Sequence, residues 1–406
     1  MMSTTPKRTT RRDFVLAASA AGIAPTLGMS SAQAQKKYAP GVTDTEIKIG
    51  QSIPYSGPAS AYGAIGRAQT AYFKMVNDRG GINGRKINFI SLDDGFTPPK
   101  ALENVRRLVE QDEVAFIFCV LGTPLNLAVR GYLNQKKVPH LFNAAGSQRF
   151  ADPEKFPWTM GWQPSLRNES VFYAKRVLAT KPGAKIAAIY QDDDFGKEMV
   201  AGLKEGLGDK AGSMIVSTES FQATDPTIDS QILAAKAAGA DTVMMFAYAK
   251  QCAQAIRKIH DVEWRPDIYL HLGSASVGAT LQPAGLDRSV GVRTAGFIKD
   301  TTDPQWQNDA ELKPFFEFFK KYMPDANLSD SLNLAGWAYC LTLEQVLKQC
   351  GDDLSRENIM RQAANLKDYR NPALLPGSLI STSPTDYSVI TYMKVQRFDG
   401  KIWQMD

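Results

Sequence analysis

The chain has 406 residues, 44% hydrophobic and 22% charged, with 47 Lys and Arg against 42 Asp and Glu. That composition excludes a disordered chain, and the length implies two domains of roughly 150–200 residues. No run of about 18 apolar residues occurs after residue 40, which excludes a membrane-spanning helix there, and a net charge of +5 calls for no nucleic acid.

Residues 1–34 are expected to be a targeting segment outside the fold. Lys7, Arg8, Arg11 and Arg12 give a basic start, Phe14 to Met29 a modestly apolar stretch, and Ala32-Gln33-Ala34 a small-residue cleavage site before Gln35. Arg11-Arg12 with Asp13, Phe14 and Leu16 resembles a twin-arginine signal, so the twin-arginine export machinery is an expected partner and the periplasm the expected location. Residues 1–34 carry four basic residues and one acid; without them the net charge is +2.

From Thr45 the chain alternates short β-branched runs with helical patterns. A strand at Ile47–Ile53, a helix from about Ala61 to Asp78 and a strand at Lys86–Leu92 form the first unit, with Arg79–Arg85 as a glycine-rich turn. Thr97-Pro98 reads as an N-cap and first helical residue. That helix reaches Gln111, followed by a strand at Val114–Val120, a helix over Pro124–Gln135 and a strand at Val138–Phe142. Strands separated by helices of 10–15 residues imply βαβ units and a parallel sheet.

The pattern then restarts. A helix over Ser165–Thr180 leads to a strand at Lys185–Tyr190, a helix from Phe195, and a strand at Ser213–Thr218. Asp225-Pro226 reads as the cap of a helix stopping at Gly239, ahead of a strand at Asp241–Ala247, with further helix and strand signals to Phe297. Two successive series imply two similar lobes. Pro304 to Lys367 is helical, with an apolar stripe in Ser331–Gln349, and the tail from Pro372 is strand and turn, including Ser388–Val395 and Ile402–Trp403. Cys340 and Cys350 lie ten residues apart on one expected helix, about 15 Å of rise, too far for a bridge. No disulfide is expected.

A search for catalytic chemistry returns little. His140, His260 and His271 lack metal-ligand spacing from one another or from any Cys, and there is no nucleophile elbow, P-loop or dinucleotide fingerprint. No cofactor is called for. His140 is expected to be packed or satisfied at the surface, while His271 closes an apolar strand and could reach a cleft. Asp93-Asp94 and Asp192-Asp193-Asp194 read as solvated loop ends with capping roles. Small and aromatic residues do follow strands, where α/β sheets place ligands. Leu121-Gly122-Thr123 and Ala145-Gly146-Ser147-Gln148 read either as tight turns or as backbone N–H and hydroxyl cradles for an anion. Tyr62, Phe195 and Tyr248 hold comparable positions.

Several motifs occur together: Ser56-Gly57-Pro58 with Tyr62-Gly63, Asn77-Asp78-Arg79-Gly80-Gly81-Ile82-Asn83-Gly84, Asp193-Asp194-Phe195-Gly196-Lys197, Asp225–Asp229 and Ala238–Asp241. In this order the chain resembles the periplasmic solute-binding proteins of ABC importers, in the leucine/isoleucine/valine-binding type, from about residue 45 to the C-terminus. The resemblance implies an α/β fold of two Rossmann-like lobes with parallel, helix-flanked sheets, joined by three crossovers that act as a hinge. Lobe 1 would combine 45–162 with 303–380, and lobe 2 would combine 165–298 with 385–406. It further implies that Gly122, Thr123, Gly146, Ser147 and Gln148, beside Leu121 and Tyr62, hold a ligand carboxylate. Phe195 and Tyr248 would close over the ligand, and Asn333 would return from the late helical segment. An inner-membrane ABC permease is the implied partner.

One departure concerns the ligand. The acid that holds the ammonium of amino-acid ligands in this family falls at Ala275, beside Ser276. A buried ammonium without a charged partner costs several kcal/mol. The expected ligand is therefore a small carboxylate without an α-amino group, an aromatic or branched-chain keto-type acid. An α-amino acid is the alternative, as is a sensor built on the same clamshell; an exported enzyme would need metal-spaced Cys and His.

Overall fold

The computed structural model describes residues 36–406, so the expected export signal lies outside the described residues. The first series comprises β1 (Lys37–Tyr38), β2 (Glu46–Ile53), α1 (Gly63–Asp78), β3 (Lys86–Asp93), α2 (Pro98–Glu110), β4 (Phe116–Phe118), α3 (Thr123–Gln135), β5 (His140–Asn143) and β6 (Thr159–Gly161). The second comprises α4 (Leu166–Thr180), β7 (Ile186–Gln191), α5 (Asp194–Leu207), α6 (Ala211–Met214), β8 (Ile215–Phe221), α7 (Asp229–Ala237), β9 (Thr242–Phe246), α8 (Ala249–Asp261), β10 (Asp267–Leu270), α9 (Gln282–Ala284) and β11 (Arg293–Gly296). The late segment adds α10 (Pro304–Gln307), α11 (Lys313–Tyr322), α12 (Ser331–Cys350), β12 (Asp353–Leu354), α13 (Arg356–Ala363), β13 (Lys394–Phe398) and β14 (Trp403–Met405).

Two principal sheets result. One has five strands in the order β3-β2-β4-β5-β6, all parallel; the other has seven in the order β14-β13-β11-β10-β9-β7-β8. In the second, β7 to β11 run parallel, and β13 and β14 add an antiparallel edge. Strands β4, β5 and β9 are buried at every position, as expected of parallel strands covered by helices on both faces. Among the described residues the chain passes between the sheets after β6, after β11 and before β13. The late helix α12 packs on α1, so the five-stranded sheet draws its cover from both ends of the sequence.

Several expectations are corrected. The strand expected over Val114–Val120 shrinks to β4, because Cys119 takes φ 54° and leaves the strand geometry. Thr97 stands at the N-cap position, yet its hydroxyl donates to the Asp94 carbonyl and caps nothing. Asp225 accepts from the Gln222 amide in a local turn, and α7 begins four residues later, at Asp229. Residues 388–393 form no strand; the ladder starts at Lys394. All four cysteines are free and buried, and Cys340 and Cys350 share α12.

Strand order identifies where a ligand could enter. In the five-stranded sheet β2 lies between β3 and β4, so the chain leaves β2 toward one side and returns on the other. In the seven-stranded sheet β7 lies between β8 and β9 in the same way. Loops leaving the carboxyl ends of such neighbouring strands diverge and open a crevice. The four loops concerned carry Tyr62 after β2, Leu121–Thr123 after β4, Phe195 after β7 and Tyr248 after β9.

Candidate functional site

The four loops meet in one aromatic cluster. Tyr248 stands at the N-cap of α8, and its ring lies 5.0 Å from Phe195, stacked at 11°. Tyr62 meets the same ring edge-on at 5.2 Å, and Phe96 does so at 5.2 Å. Phe195 in turn touches the His271 ring at 4.8 Å. All five side chains are buried. The Tyr62 hydroxyl ties the two switch points together, lying 3.1 Å from both the Gly273 carbonyl and Ser274 Oγ and accepting the Ala249 amide at 3.2 Å. Burial raises the Tyr62 and Tyr248 phenols above their ordinary range, so both stay neutral hydrogen-bonding groups.

Gly122 explains why this cluster closes so tightly. Its φ is 85°, and a Cβ there would stand 2.7 Å from the Phe96 ring and 3.4 Å from the Tyr248 hydroxyl. Leu121 is buried and bridges Ala144, and the Gly122 amide donates to the Ala144 carbonyl. Thr123 is the buried first residue of α3, whose first-turn N–H groups have no intrahelical acceptors. Phe96 was not singled out from sequence. It sits at φ 59° in a short turn after β3, held by its amide donating to Asp94, and nothing in an Asp-Gly-Phe-Thr string distinguishes such a residue from an ordinary turn.

The loop after β5 is arranged differently. Gly146 approaches the Pro164 carbonyl so closely that a Cβ would lie 2.2 Å away, and its own carbonyl accepts from Leu166 at the start of α4. Ser147 Oγ donates to Glu198 Oε2 at 2.5 Å, and the Gln148 amide donates to Glu198 Oε1 at 2.8 Å. Beside them Arg149 pairs with Asp194 at 2.8 Å. A carboxylate does rest on Ser147 and Gln148, but it belongs to the protein. Gly146, Ser147 and Gln148 also border a cavity of about 130 Å³ with Gln163, Ser165 and residues 387–391.

Ala275, Ser276 and Asn333 do not join the aromatic cluster. Ala275 lines a small cavity with Val277, Lys299 and Trp403, and its carbonyl accepts from the Trp403 indole. Ser276 Oγ donates to Asp330 Oδ1 at 2.8 Å, linking the segment after β10 to the N-cap of α12. Asn333 donates to the Asn327 carbonyl and borders a groove of about 500 Å³ with Arg67 and Asp330.

The acidic loop ends are only partly what composition implies. Asp192 pairs with Lys197 and Asp193 caps α5 through the Gly196 amide, as capping roles require. Asp94 instead is buried, accepting from Ser52 and Phe96, and burial pushes its carboxyl up to about 6. His140 is buried with neither ring nitrogen partnered. Among the described residues no group of three His, Cys, Asp or Glu is placed to hold a metal ion, and no helix is long and apolar enough to cross a membrane.

Aromatic residues thus converge from the switch points of two helix-flanked, largely parallel sheets. The family description "periplasmic binding protein" matches residues 46–401, and the chain belongs to that family. It is similar to Leu/Ile/Val-binding protein homolog 7 of Brucella abortus, 26% identical over 73% of this chain and 75% of the relative. Among solved structures it is similar to a type 1 periplasmic binding protein of Bordetella pertussis, with a TM-score of 0.74 and 19% identity over 89% of this chain and 99% of that one. A fatty acid ABC transporter substrate-binding protein of Thermomonospora curvata gives a TM-score of 0.76 and 20% identity over 91% and 94%. Family members bind small molecules and work with ABC permeases.

Proposed function

We propose that this protein captures a small carboxylate without an α-amino group and delivers it to the permease of an ABC importer in the inner membrane, acting in the periplasm after export through the twin-arginine route. Capture would occur between two lobes built on the two sheets, with residues 45–162 and 303–380 in one and 165–298 and 385–406 in the other. The chain passages between the sheets would bend as the hinge. The observation that carries this reading is the cluster of Tyr62, Phe96, Phe195 and Tyr248, drawn from both switch points into one apolar wall. Such a wall suits an aromatic or branched side chain, and pockets between domains commonly use aromatic walls with few polar groups.

The ligand class rests on charge. Asp193, the acid beside Tyr248, is occupied as the α5 cap and by Gln191, and Ala275 offers no acid. The names of the Brucella relatives favour a branched-chain amino acid instead. A thermal-shift panel decides between them. Residues 35–406 would be screened with leucine, phenylalanine, 4-methyl-2-oxopentanoate, phenylpyruvate and benzoate. Ligand at 100 times its Kd stabilises the fold by about 2.7 kcal/mol, a shift of several degrees. Shifts with the non-amino acids alone support the proposal, and shifts with leucine or phenylalanine alone overturn it. Tyr248→Ala should weaken the binding found by about 100-fold, the loss of a buried aromatic contact, while circular dichroism stays native. Unchanged affinity would remove Tyr248 from the site.

A further inference from the structure

Two of the chain's passages between the sheets run past one cavity. Residues 161–165 lead from β6 into α4, residues 387–391 lead toward β13, and together with the loop after β5 they border a volume of about 130 Å³. Val389 and Ile390 are only 3% and 2% exposed, yet their backbone N–H and C=O groups have no hydrogen-bond partner among the described residues. The amides of Gly146 and Ser147, buried on the loop after β5, are unpartnered in the same way. A buried backbone group left unpaired costs about as much as a lost hydrogen bond, so where the fold supplies no partner, water or a ligand does.

The lining restricts what that partner can be. Among the described residues no Asp, Glu, Lys or Arg borders the cavity, and its polar side chains are hydroxyls and amides, Gln163, Ser165 and Thr391 among them. An anion would stand close to the Glu198 carboxylate, which already rests on Ser147 and Gln148. A cation would face the free N–H groups. Unpaired donors and acceptors side by side call for an uncharged molecule that both donates and accepts, as a hydroxyl does. A cavity of about 150 Å³ accommodates a molecule the size of benzene, so this one holds about six non-hydrogen atoms. One such molecule satisfies at once the groups that several separately ordered waters would otherwise serve.

We propose that this cavity is a second binding site, for a small uncharged polyol. It goes beyond the capture of an acid at the aromatic wall and does not rest on it, because Tyr62, Phe96, Phe195 and Tyr248 contribute nothing to the lining. The hydroxyls of the polyol pair with the backbone of Val389 and Ile390 on one side and with the Gly146 and Ser147 amides on the other.

The amide resonances of Gly146, Ser147, Val389 and Ile390 test this in the native protein. Titration with glycerol should shift them to saturation. Pentan-3-ol has the same skeleton with methyls in place of two hydroxyls; it leaves backbone groups unpaired and should bind at least about tenfold more weakly. Ala145 also borders the cavity, and Ala145→Leu should take up part of its volume and weaken glycerol binding at least about tenfold. Shifts that grow linearly with glycerol mean that water alone fills the cavity and overturn the proposal. Equal affinity for the two alcohols overturns it, as does saturation by acetate in place of glycerol, or undiminished glycerol binding in folded Ala145→Leu. If Ala145→Leu does not fold, the comparison of the two alcohols in the native protein decides. The thermal-shift panel of acids reads the other site, so the two proposals fail separately.

Discussion

Replacing Glu198 with Ala is expected to open the ligand-free protein. Glu198 projects from α5, which flanks the seven-stranded sheet, and its two oxygens accept from Ser147 and Gln148 after β5 of the five-stranded sheet. Hydrogen bonds to a charged group each contribute about 1.5–3 kcal/mol. On the proposed hinge, losing both would shift the closed–open balance by about 3 kcal/mol after solvent replaces part of the interaction, on the order of 100-fold in population. Small-angle scattering should then give a larger radius of gyration for the ligand-free variant than for the native protein, and bound ligand should dissociate faster. Arg149→Ala removes only an ion pair between half-exposed partners and should change both quantities little. An unchanged radius in Glu198→Ala would mean that the Tyr62 contacts and the Ser276–Asp330 bond hold the two parts together without it.

Acid should destabilise this protein through His140. Burial, with a smaller contribution from Arg130, lowers the imidazole from 6.5 to about 3. In the unfolded chain the same group titrates at its ordinary value. Between those two values the unfolded state therefore binds the proton and the folded state does not, so stability rises with pH across that window. The full contribution is present above about pH 6.5 and is lost as pH falls toward 3, about 5 kcal/mol in all. His140→Leu, which fills the site without a titrating group, removes that term. From pH 6.5 to 4.5 the native protein should lose about 2 kcal/mol more than the variant in urea unfolding. Equal losses would mean that a water-filled path hydrates the ring in the folded state.

The parallel strands were legible because burial on both faces forces continuous β-branched and aromatic runs, as in Val114–Val120 and Asp241–Ala247. Their ends were less so. Cys119 and Phe142 adopt positive φ at the carboxyl ends of β4 and β5, and no local signal marks such a residue. Ser388–Val395 alternates like a strand, but most of it is spent crossing between the sheets. In the site, Tyr62, Phe195 and Tyr248 could be singled out because position after a strand is a sequence property. Phe96 depends on a turn geometry, and Glu198 on a partner 51 residues away, which no spacing rule reaches. The Glu169–His271 pair spans 102 residues and is invisible for the same reason.

The antiparallel edge formed by β13 and β14 has a consequence for synthesis. The strand that β13 covers, β11, is translated about a hundred residues earlier, and α1 likewise waits for α12. The seven-stranded sheet cannot be finished, nor α1 of the five-stranded sheet covered, until late in synthesis, and contacts this distant in sequence form slowly. Until the last residues arrive, β11 presents a row of unpaired backbone groups, a template for pairing with another copy. A chain cut short before Lys394 would therefore be expected to aggregate rather than merely lose stability, and the β13–β14 hairpin acts as the seal on that edge.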